Sequence, residues 1–431
     1  MIEGWKLETS DFFAGQLINN QLNNGSKGTY MKTLKIMSVV GARPNFMKIA
    51  PFAHAIDAHN AKPEKALRIE HFLVHTGQHY DKAMSESFFE ALNIPHPDVD
   101  LGIGSGSHAE QVGRTMIEFE KVLLEQKPDW VVVVGDVNAT CACSITAKKH
   151  HVKVAHIEAG LRSFDERMPE EINRLVTDSL SDLLLTPDEF ADENLRREGH
   201  SEEQIKFVGN IMIDTLEANR DRAAALDLNE VISSNLISPE TSGQKSEVSS
   251  DLRSPIFDLC QNGFAVLTMH RPSNVDEKGV LEPLVRLLID EISVELPLVW
   301  SVHPRTKKNL QTFGLWDEVV SAKNIILINP VGYHEMLKLN MSAKLMLTDS
   351  GGLQEESCVI GTPCITMRET TERPVTLVEH GGVSELTGPD PNKIRVAFKK
   401  FLTMDCSGHC PPLWDGKTAV RIVQALSSAA L

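Results

Sequence analysis

The sequence predicts an α/β protein with two doubly wound parallel sheets. From Lys32 onward, short β-branched runs alternate with longer segments of helical spacing. Residues 131–134 are four consecutive valines, as expected for a strand whose sheet is covered by helices on both faces. A length of 431 residues is typical of two domains rather than one. We therefore expect two Rossmann-like domains in succession.

The strand candidates divide into two groups along the chain. In the first half they are Leu34–Val40, His71–His75, Trp130–Val134, Val152–His156, Leu183–Leu185 and Ile205–Val208. In the second half they are Phe264–Met269, Leu296–Val302, Ile325–Ile328, Leu345–Leu347 and Cys364–Met367. This grouping predicts an N-terminal extension (1–30), an N-terminal domain (31–212), a C-terminal domain (213–405) with a polar surface insertion at about 231–255, and a closing helical segment (406–431).

Composition and charge exclude several classes of protein. The chain has 43 Lys and Arg against 59 Asp and Glu, a formal net charge of −16, which disfavours nucleic-acid and acidic-membrane binding. We expect no transmembrane helix and no secretory signal. Seven scattered cysteines indicate reduced thiols and a cytoplasmic protein. Cys406, His409 and Cys410 lack a second ligand pair nearby in the sequence, so we expect no metal site.

Polar clusters follow many of the predicted strands. In open parallel sheets, ligands bind beyond the carboxyl ends of the strands. The clusters are Gly41–Pro44, Thr76–His79, Gly135-Asp136, Glu158–Gly160, Gly209-Asn210, His270-Arg271, His303-Pro304, Asp349–Gly352 and Thr370–Pro374. Because they occur in both halves of the chain, they predict two domains that face each other across one cleft.

Three carboxylates among these clusters are candidates for acid–base chemistry. Asp136 ends a very apolar strand, and Glu158 follows another almost directly. Glu170 comes after Pro169, which suits the first position of a helix, so Glu170 could instead serve only the helix dipole. Neighbouring buried acids have displaced pKa values, and proton transfer to or from carbon requires such groups.

Other clusters indicate an anionic ligand. Ser350, Gly351 and Gly352 form a small-residue turn between a strand and a helix, which suits phosphate binding but would also suit a plain tight turn. The guanidinium groups of Arg271 and Arg373 could bind a diphosphate. The candidates also include His270, beside Arg271, and Arg43 and Lys48, at the N-terminus of the first helix.

In order along the chain, these clusters form a set of motifs that resembles one family. The motifs are GARPNFMK, TGQHYD, GDVNAT, HIEAGLRSFDERMPEEINR, MHRPSN, HP, LTDSGGLQEES and MRETTERP. They span roughly Lys32 to Leu426 and resemble the non-hydrolysing UDP-N-acetylglucosamine 2-epimerases. The resemblance implies a glycosyltransferase-B-like fold, conversion of UDP-GlcNAc to UDP-ManNAc by inversion at C2, no cofactor, no metal and a homodimer. The implied chemistry is anti elimination of UDP to 2-acetamidoglucal, followed by syn addition.

The resemblance also assigns roles to individual residues. Asp136 and Glu158 would transfer the C2 proton with help from Glu170, and His270 would act at the diphosphate. The implied UDP-sugar contacts are Arg43, Lys48, Gln78, His79, Arg271, His303, Ser350, Gly351, Gly352, Glu356 and Arg373. Within this set, Glu356 would accept hydrogen bonds from the ribose.

Several alternatives remain open at this stage. A hydrolysing 2-epimerase would release ManNAc and UDP, and a B-type glycosyltransferase would share the fold and the UDP site. This chain has Val137 where the family often has Thr, and Ser273 where it often has Glu. A related UDP-N-acetyl sugar is therefore a further possible substrate.

Overall fold

The computed structural model describes residues 32–62, 67–77, 94–237, 263–404 and 410–430. Two parallel sheets, each with helices packed on it, make up this part of the chain, which confirms the predicted fold class. The predicted extension (1–30), Gln78 and His79 lie outside the described residues. No helix in the described part is long and apolar enough to cross a membrane.

The first sheet is seven-stranded, in the order β3-β2-β1-β4-β5-β6-β7. Its strands are β1 (Lys32–Val40), β2 (Leu67–His75), β3 (Val99–Asp100), β4 (Trp130–Val134), β5 (Lys153–Ile157), β6 (Leu183–Thr186) and β7 (Ile205–Phe207). Every residue of β4 is buried, as its run of valines predicts. The helices that accompany this sheet are α1 (Arg43–Asn60), α2 (His108–Gln126), α3 (Asn138–Lys149), α4 (Pro169–Leu180), α5 (Glu189–Arg197) and α6 (Ile211–Ala224). We call residues 32–224 the N-terminal half.

The second sheet is six-stranded, in the order β10-β9-β8-β11-β12-β13. Its strands are β8 (Ala265–Thr268), β9 (Leu298–Ser301), β10 (Ile325–Ile328), β11 (Leu345–Thr348), β12 (Cys364–Thr366) and β13 (Ser384–Leu386). The helices are α7 (Leu228–Ser234), α8 (Pro272–Val275), α9 (Lys278–Leu287), α10 (Pro304–Thr312), α11 (Trp316–Ser321), α12 (Tyr333–Ser342), α13 (Gly351–Ile360) and α14 (Pro391–Thr403). Helix α9 continues through a π-helical turn (Leu288–Ile292) and a short helix (Ser293–Glu295), and 3₁₀ turns cover Pro374–Thr376 and Val378–His380. We call residues 228–403 the C-terminal half.

The last helix, α15 (Thr418–Ala430), returns to the N-terminal half. Ile422 and Leu426 are buried in the same apolar core as Ile49 of α1. Asp214 in α6 accepts hydrogen bonds from the backbone N–H groups of Thr418 (3.0 Å) and Ala419 (2.7 Å), which satisfies the N-terminus of α15. The predicted closing helix therefore packs on the N-terminal half, whereas the strand that precedes it, β13, belongs to the C-terminal half.

The structure differs from the sequence prediction in a few places. Strands β3 and β13, of two and three residues, were not predicted because runs this short carry no clear alternation. The predicted insertion is wrong at its start, because residues 231–234 belong to α7, and Ile232 is fully buried against the second sheet. The insertion from residue 238 to 255 lies outside the described residues. The domain boundaries at 212 and 405 stay a prediction.

Candidate active site

The carboxyl ends of β4 and β5 bring two of the predicted carboxylates to one edge of the first sheet. Asp136 follows β4 after Gly135, whose positive φ of 68° glycine adopts without strain. Glu158 directly follows β5 and has a φ of 71°. A non-glycine residue in this left-handed region is strained by about 1–3 kcal/mol, and such strain concentrates at functional sites.

Glu158 is held by a buried ion pair with Lys48. Lys48 Nζ lies 2.5 Å from Glu158 Oε2, and both side chains are almost fully buried. The other oxygen, Oε1, is buried and has no hydrogen-bond partner among the described residues. Gly135 packs against this pair, because an added Cβ would lie 3.4 Å from both Lys48 Nζ and Glu158 Oε2. One carboxylate oxygen is thus fixed by Lys48 while the other stays unpaired.

Asp136 is held by Arg174 and remains partly accessible. Its carboxylate Oδ2 accepts from Arg174 Nη1 at 2.8 Å, and about a third of its side chain (32%) is exposed. Arg174 is 2% exposed and also pairs with Glu171 at 2.9 Å. Glu171 in turn accepts from the backbone N–H groups of Ser163 (3.0 Å) and Phe164 (3.1 Å). This chain of contacts fixes the direction of Asp136 without enclosing it.

Glu170 lies apart from this ion-pair chain. Glu170 lies four residues before Arg174, a spacing that puts both residues on one helix face, but the adjacent Glu171 makes the contact with that arginine. Glu170 is exposed in the first turn of α4, with Pro169 at the first position as predicted. It contributes to the electrostatic environment of Arg271 in the C-terminal half. The sequence signal for Glu171 was its i,i+3 spacing from Arg174.

A second buried network, which sequence reasoning missed, fixes the loops that carry both carboxylates. His156 Nε2 donates to the carbonyl oxygen of Gly135 at 2.8 Å, and its Nδ1 lies 2.6 Å from Asp178 Oδ1. Asp178 also binds Arg162 (2.7 Å) and the backbone N–H of Gly160 (3.0 Å). Burial alone would raise the pKa of Asp178, but His156, Arg162 and the Gly160 N–H hold it below its ordinary value.

In the C-terminal half, Asp349 orients His270. The buried carboxylate of Asp349 accepts from the backbone N–H groups of His270 (2.8 Å) and Arg271 (2.7 Å), and His270 Nδ1 lies 3.1 Å from its other oxygen. Burial opposes ionisation, yet the contacts with His270 and Arg271 keep the pKa of Asp349 below its ordinary value. His270 is 41% exposed, so its ring is reachable while its Nδ1 is fixed.

His303 lies beside His270, with the ring centroids 5.3 Å apart. Its Nδ1 accepts from the backbone N–H of Arg305 at 3.2 Å, which caps α10. Burial lowers the pKa of His303, and the neighbouring His270 lowers it further. The predicted His303 therefore joins the site through His270 and also has a structural role.

The predicted phosphate turn rests on two guanidinium groups. A Cβ on Gly351 would lie 3.2 Å from Nη1 of both Arg368 and Arg373, so only glycine fits there without displacing them. Arg373 forms ion pairs with Glu355 and Glu372, and Arg368 Nη2 lies 2.8 Å from Glu372. Burial opposes the charge of Arg373, but the two carboxylates raise its pKa. Sequence reasoning identified Gly351 and Arg373 and missed the other three residues.

Arg271 differs from these guanidinium groups in its partners. Its Nε donates to the carbonyl oxygen of Asp349 at 3.0 Å. Within the described ranges, it forms no ion pair with a carboxylate. Burial lowers its pKa, and the nearby charge of Arg368 adds to that effect. Arg271 is therefore a cation that an anionic ligand could neutralise.

The two halves meet at these charged groups. Asn210, at the start of α6, donates through Nδ2 to Glu355 Oε1 at 2.9 Å. Arg373 interacts electrostatically with Glu158, and Glu372 interacts with Arg174. The carboxylates of the first sheet and the guanidinium groups of the second thus share one site.

Glu356 is buried beside Tyr333, and its pKa lies above the ordinary value. Burial raises its pKa to about 7, although the hydroxyl of Tyr333 partly opposes that rise. The helix turns by about 100° per residue, so Glu356 points away from its neighbour Glu355. Its predicted contact with a ribose stays a prediction.

We expect Glu356→Gln to stabilise the fold at alkaline pH. The carboxyl has a pKa of about 7 when folded and an ordinary value of 4.5. The folded state therefore holds the proton more tightly, and this contribution to stability is lost as pH rises from 4.5 to about 7. Urea unfolding should show the variant more stable than the parent at pH 8, with a smaller difference near pH 4.5. An equal difference at both pH values would contradict the assignment.

The remaining predicted residues can be placed only in part. The backbone puts Arg43 at the first position of α1. Ser350 is the N-cap of α13, and the space around a Cβ on Gly352 is nearly open, with the nearest atom, Ser350 Oγ, at 4.0 Å. In the part of the chain that the structure describes, no group of three or more His, Cys, Asp or Glu side chains is placed to hold a metal ion.

Two Rossmann-like halves that meet at a set of buried carboxylates and guanidinium groups define a glycosyltransferase-B-like α/β protein. Comparison with known proteins makes this more specific. The chain belongs to the UDP-N-acetylglucosamine 2-epimerase family, whose sequence profile matches residues 61–427. Membership in this family identifies it as an epimerase.

Individual relatives are similar over most of their length. The UDP-N-acetylglucosamine 2-epimerase of Methanocaldococcus jannaschii is 41% identical over 396 residues, which is 91% of this chain and 99% of that protein. Its crystal structure in complex with UDP-GlcNAc and UDP aligns with a TM-score of 0.75 and covers 92% of this chain and 100% of that one. The UDP-2,3-diacetamido-2,3-dideoxy-D-glucuronate 2-epimerase of Pseudomonas aeruginosa is also 41% identical, over 79% of this chain and 84% of that protein.

Proposed function

We propose that this protein interconverts UDP-GlcNAc and UDP-ManNAc by inversion at C2 of the sugar, without hydrolysing the substrate. The main support is the arrangement of the site. Asp136 and Glu158 are held at one edge of the N-terminal sheet, and the Gly351 turn with Arg271 lies in the half that meets it.

The first step is an elimination. A carboxylate removes the proton from C2 while the C1–O bond breaks, and the bonding electrons leave with the diphosphate of UDP. The products are UDP and 2-acetamidoglucal. Arg271, His270 and the N-terminus of α13 stabilise the charge that develops on the departing diphosphate.

The second step returns UDP to the same face of C1 and delivers the proton to the other face of C2. A diphosphate oxygen adds to C1 while an acid delivers a proton to C2 from the face opposite the original hydrogen. Asp136 and Glu158 divide these proton transfers, and Glu170, exposed at the start of α4, assists. The site has to retain UDP and the glycal between the steps, since water would otherwise capture the intermediate.

The same proposal assigns the binding of UDP. The phosphates lie on the turn formed by Ser350, Gly351 and Gly352, where backbone N–H groups and the helix dipole favour negative charge. Glu356 accepts from the ribose. The other proposed contacts are Arg43, Lys48, Gln78, His79, His303 and Arg373. We also propose a cytoplasmic homodimer, and light scattering of the purified chain would test the dimer.

A second substrate is favoured by one comparison. The Pseudomonas aeruginosa relative, whose name specifies a diacetamido uronic sugar, matches this chain at the same 41% identity as the Methanocaldococcus jannaschii relative. A UDP-2,3-diacetamido uronic acid is therefore the alternative substrate. Its carboxylate would need a further cation in the sugar site.

A product assay on a panel of UDP-N-acetylhexosamines tests both proposals. We expect NMR to show UDP-ManNAc forming from UDP-GlcNAc, with deuterium from heavy water entering C2 and no acceptor present. Free ManNAc with stoichiometric UDP would mean a hydrolysing enzyme. An absence of C2 exchange would favour a glycosyltransferase, and turnover of the diacetamido uronic sugar alone would select the second substrate.

His270→Ala should lower kcat by about 10²–10³-fold, because the variant loses a donor to the departing diphosphate. Steady-state kinetics with UDP-GlcNAc measures this loss, and calorimetry with UDP reports whether the nucleotide still binds. His270→Gln, which keeps a donor of similar reach, should recover part of the rate. Unchanged turnover in the alanine variant would show that His270 has only a structural role.

A further inference from the structure

Asn210 lies at the boundary between the two halves and makes two different contacts. It is the N-cap of α6, where its Oδ1 accepts from the backbone N–H of Met212 at 2.9 Å. Its Nδ2 donates to Oε1 of Glu355, in the C-terminal half, also at 2.9 Å. Both side chains are buried. The cap and the contact between the halves therefore use different atoms of one buried side chain.

Glu355 connects Asn210 to the predicted phosphate turn. The oxygen that accepts from Asn210, Oε1, also forms the ion pair with Nε of Arg373. Nη1 of Arg373 lies against the turn, because a Cβ on Gly351 would lie 3.2 Å from it. The other oxygen of Glu355, Oε2, is buried and has no hydrogen-bond partner in the part of the chain that the structure describes. The direction of this carboxylate therefore depends on the two partners of Oε1.

The chemistry of position 210 fits this connection. Asp and Ser cap a helix about as well as Asn, so the cap of α6 does not by itself require an amide. A buried carboxylate needs a donor, and Asn combines an acceptor oxygen for the cap with an NH₂ group for Glu355. Asp has no donor when it is ionised, and the hydroxyl of Ser lies on a shorter side chain. The amide is thus explained by the contact with Glu355.

We propose that Asn210 is a positioning residue for the binding of the UDP phosphates, because through Glu355 and Arg373 it aligns the Gly351 turn of the opposite half. This inference rests on the proposed function, which places the phosphates on that turn. Asn210 does not itself contact the nucleotide in this proposal. The N-terminal half then contributes to nucleotide binding as well as to acid–base chemistry, and UDP binds tightly only when Asn210 holds Glu355.

The first test is the affinity of Asn210→Ser for UDP, measured by calorimetry. This variant keeps an N-cap and loses the donor to Glu355. The aligned turn is then populated less, and the dissociation constant rises in inverse proportion to that population. We expect a rise of about tenfold, since a hydrogen bond to a charged group is lost. For C2 epimerisation, kcat should fall less than KM rises, because Asp136 and Glu158 keep their partners.

Asn219→Ser is the matched control. Asn219 lies further along the same helix, and its Oδ1 is 2.7 Å from Nε2 of His334 in the C-terminal half. The variant therefore also removes a side-chain contact between the halves, but one that does not involve Glu355. Its dissociation constant for UDP should stay near that of the parent. An equal loss of affinity in both serine variants would mean that the general packing of the halves controls UDP binding, and it would overturn the inference.

A pair of variants with exchanged roles gives an independent test. Asn210→Asp keeps the cap but sets two carboxylates against each other, so it should weaken UDP binding more than Asn210→Ser. Combining it with Glu355→Gln restores a donor and an acceptor in the opposite order, and the amide oxygen at position 355 can still accept from Arg373. This double variant should recover most of the lost affinity. A double variant that binds UDP no better than Asn210→Asp would contradict the inference.

Failure of the inference and failure of the proposed function give different results. An unchanged dissociation constant in Asn210→Ser overturns the inference while the parent still binds and epimerises its substrate. If Asn210→Ser does not fold, the comparison of Asn210→Asp with the double variant decides. A parent protein that does not bind UDP, or that shows no C2 exchange on any UDP-N-acetylhexosamine, would instead overturn the proposed function.

Discussion

Glu158→Gln should reduce turnover of UDP-GlcNAc by on the order of 100-fold or more, which is a typical loss when an acid–base group is removed. The amide cannot accept the C2 proton, although it is nearly the same size and can still contact Lys48. Asp136→Asn should cause a similar loss, because Arg174 would hold the amide in the same direction. Steady-state kinetics and C2 deuterium exchange would measure both.

Binding measurements separate this chemical effect from misfolding. UDP affinity should stay near that of the parent in both variants, because neither carboxylate contacts the Gly351 turn in the structure. Glu166→Gln, which alters an exposed carboxylate in the loop before α4, is the matched control and should keep the parent rate. Unaltered rates in both Glu158→Gln and Asp136→Asn would remove the acid–base assignment.

The fold could be predicted from the sequence because its strands are continuous apolar runs. Trp130–Val134 and Ile325–Ile328 coincide with the observed strands β4 and β10. Fully buried parallel strands need such runs, and polar residues can follow only where a strand ends. The strand-end rule also placed Asp136 and Glu158 correctly at one edge of the first sheet.

The supporting polar contacts could not be predicted in the same way. Arg174 binds Asp136 from 38 positions away, and Asn210 binds Glu355 from 145 positions away. No periodicity along the chain connects such residues, since the folded sheets alone bring them together. Buried carboxylates such as Asp178 and Asp349 are identified only when their donors are seen.

The choice between the adjacent residues Glu355 and Glu356 also could not be predicted from the sequence. Both carboxylates lie in the SGGLQEE motif, and the family resemblance selects Glu356. In the structure, Glu355 faces Arg373 and Asn210, while Glu356 lies beside Tyr333. Which face of α13 meets the other half depends on how the sheets pack, and the motif alone does not contain that information.

Arg174→Met should both destabilise the protein and lower its kcat. Arg174 is buried and holds Asp136 and Glu171 at once. Breaking a buried ion pair by removing one partner costs about 3–5 kcal/mol, because the other charge is left uncompensated. Asp136 would also lose its fixed direction, so we expect kcat to fall by at least about tenfold. Urea unfolding and steady-state kinetics would measure the two effects.

Two further variants separate stability from catalysis. Arg174→Lys keeps the charge but lacks the planar fork that serves two carboxylates, so it should recover part of the stability while kcat stays low. Arg167→Met removes an exposed ion pair with Asp165 in the preceding loop and should leave the unfolding midpoint and kcat unchanged. Full activity in Arg174→Lys would show that Asp136 needs a positive neighbour but not a fixed direction. Full activity and stability in Arg174→Met would mean that this buried chain of charges has no part in holding the site.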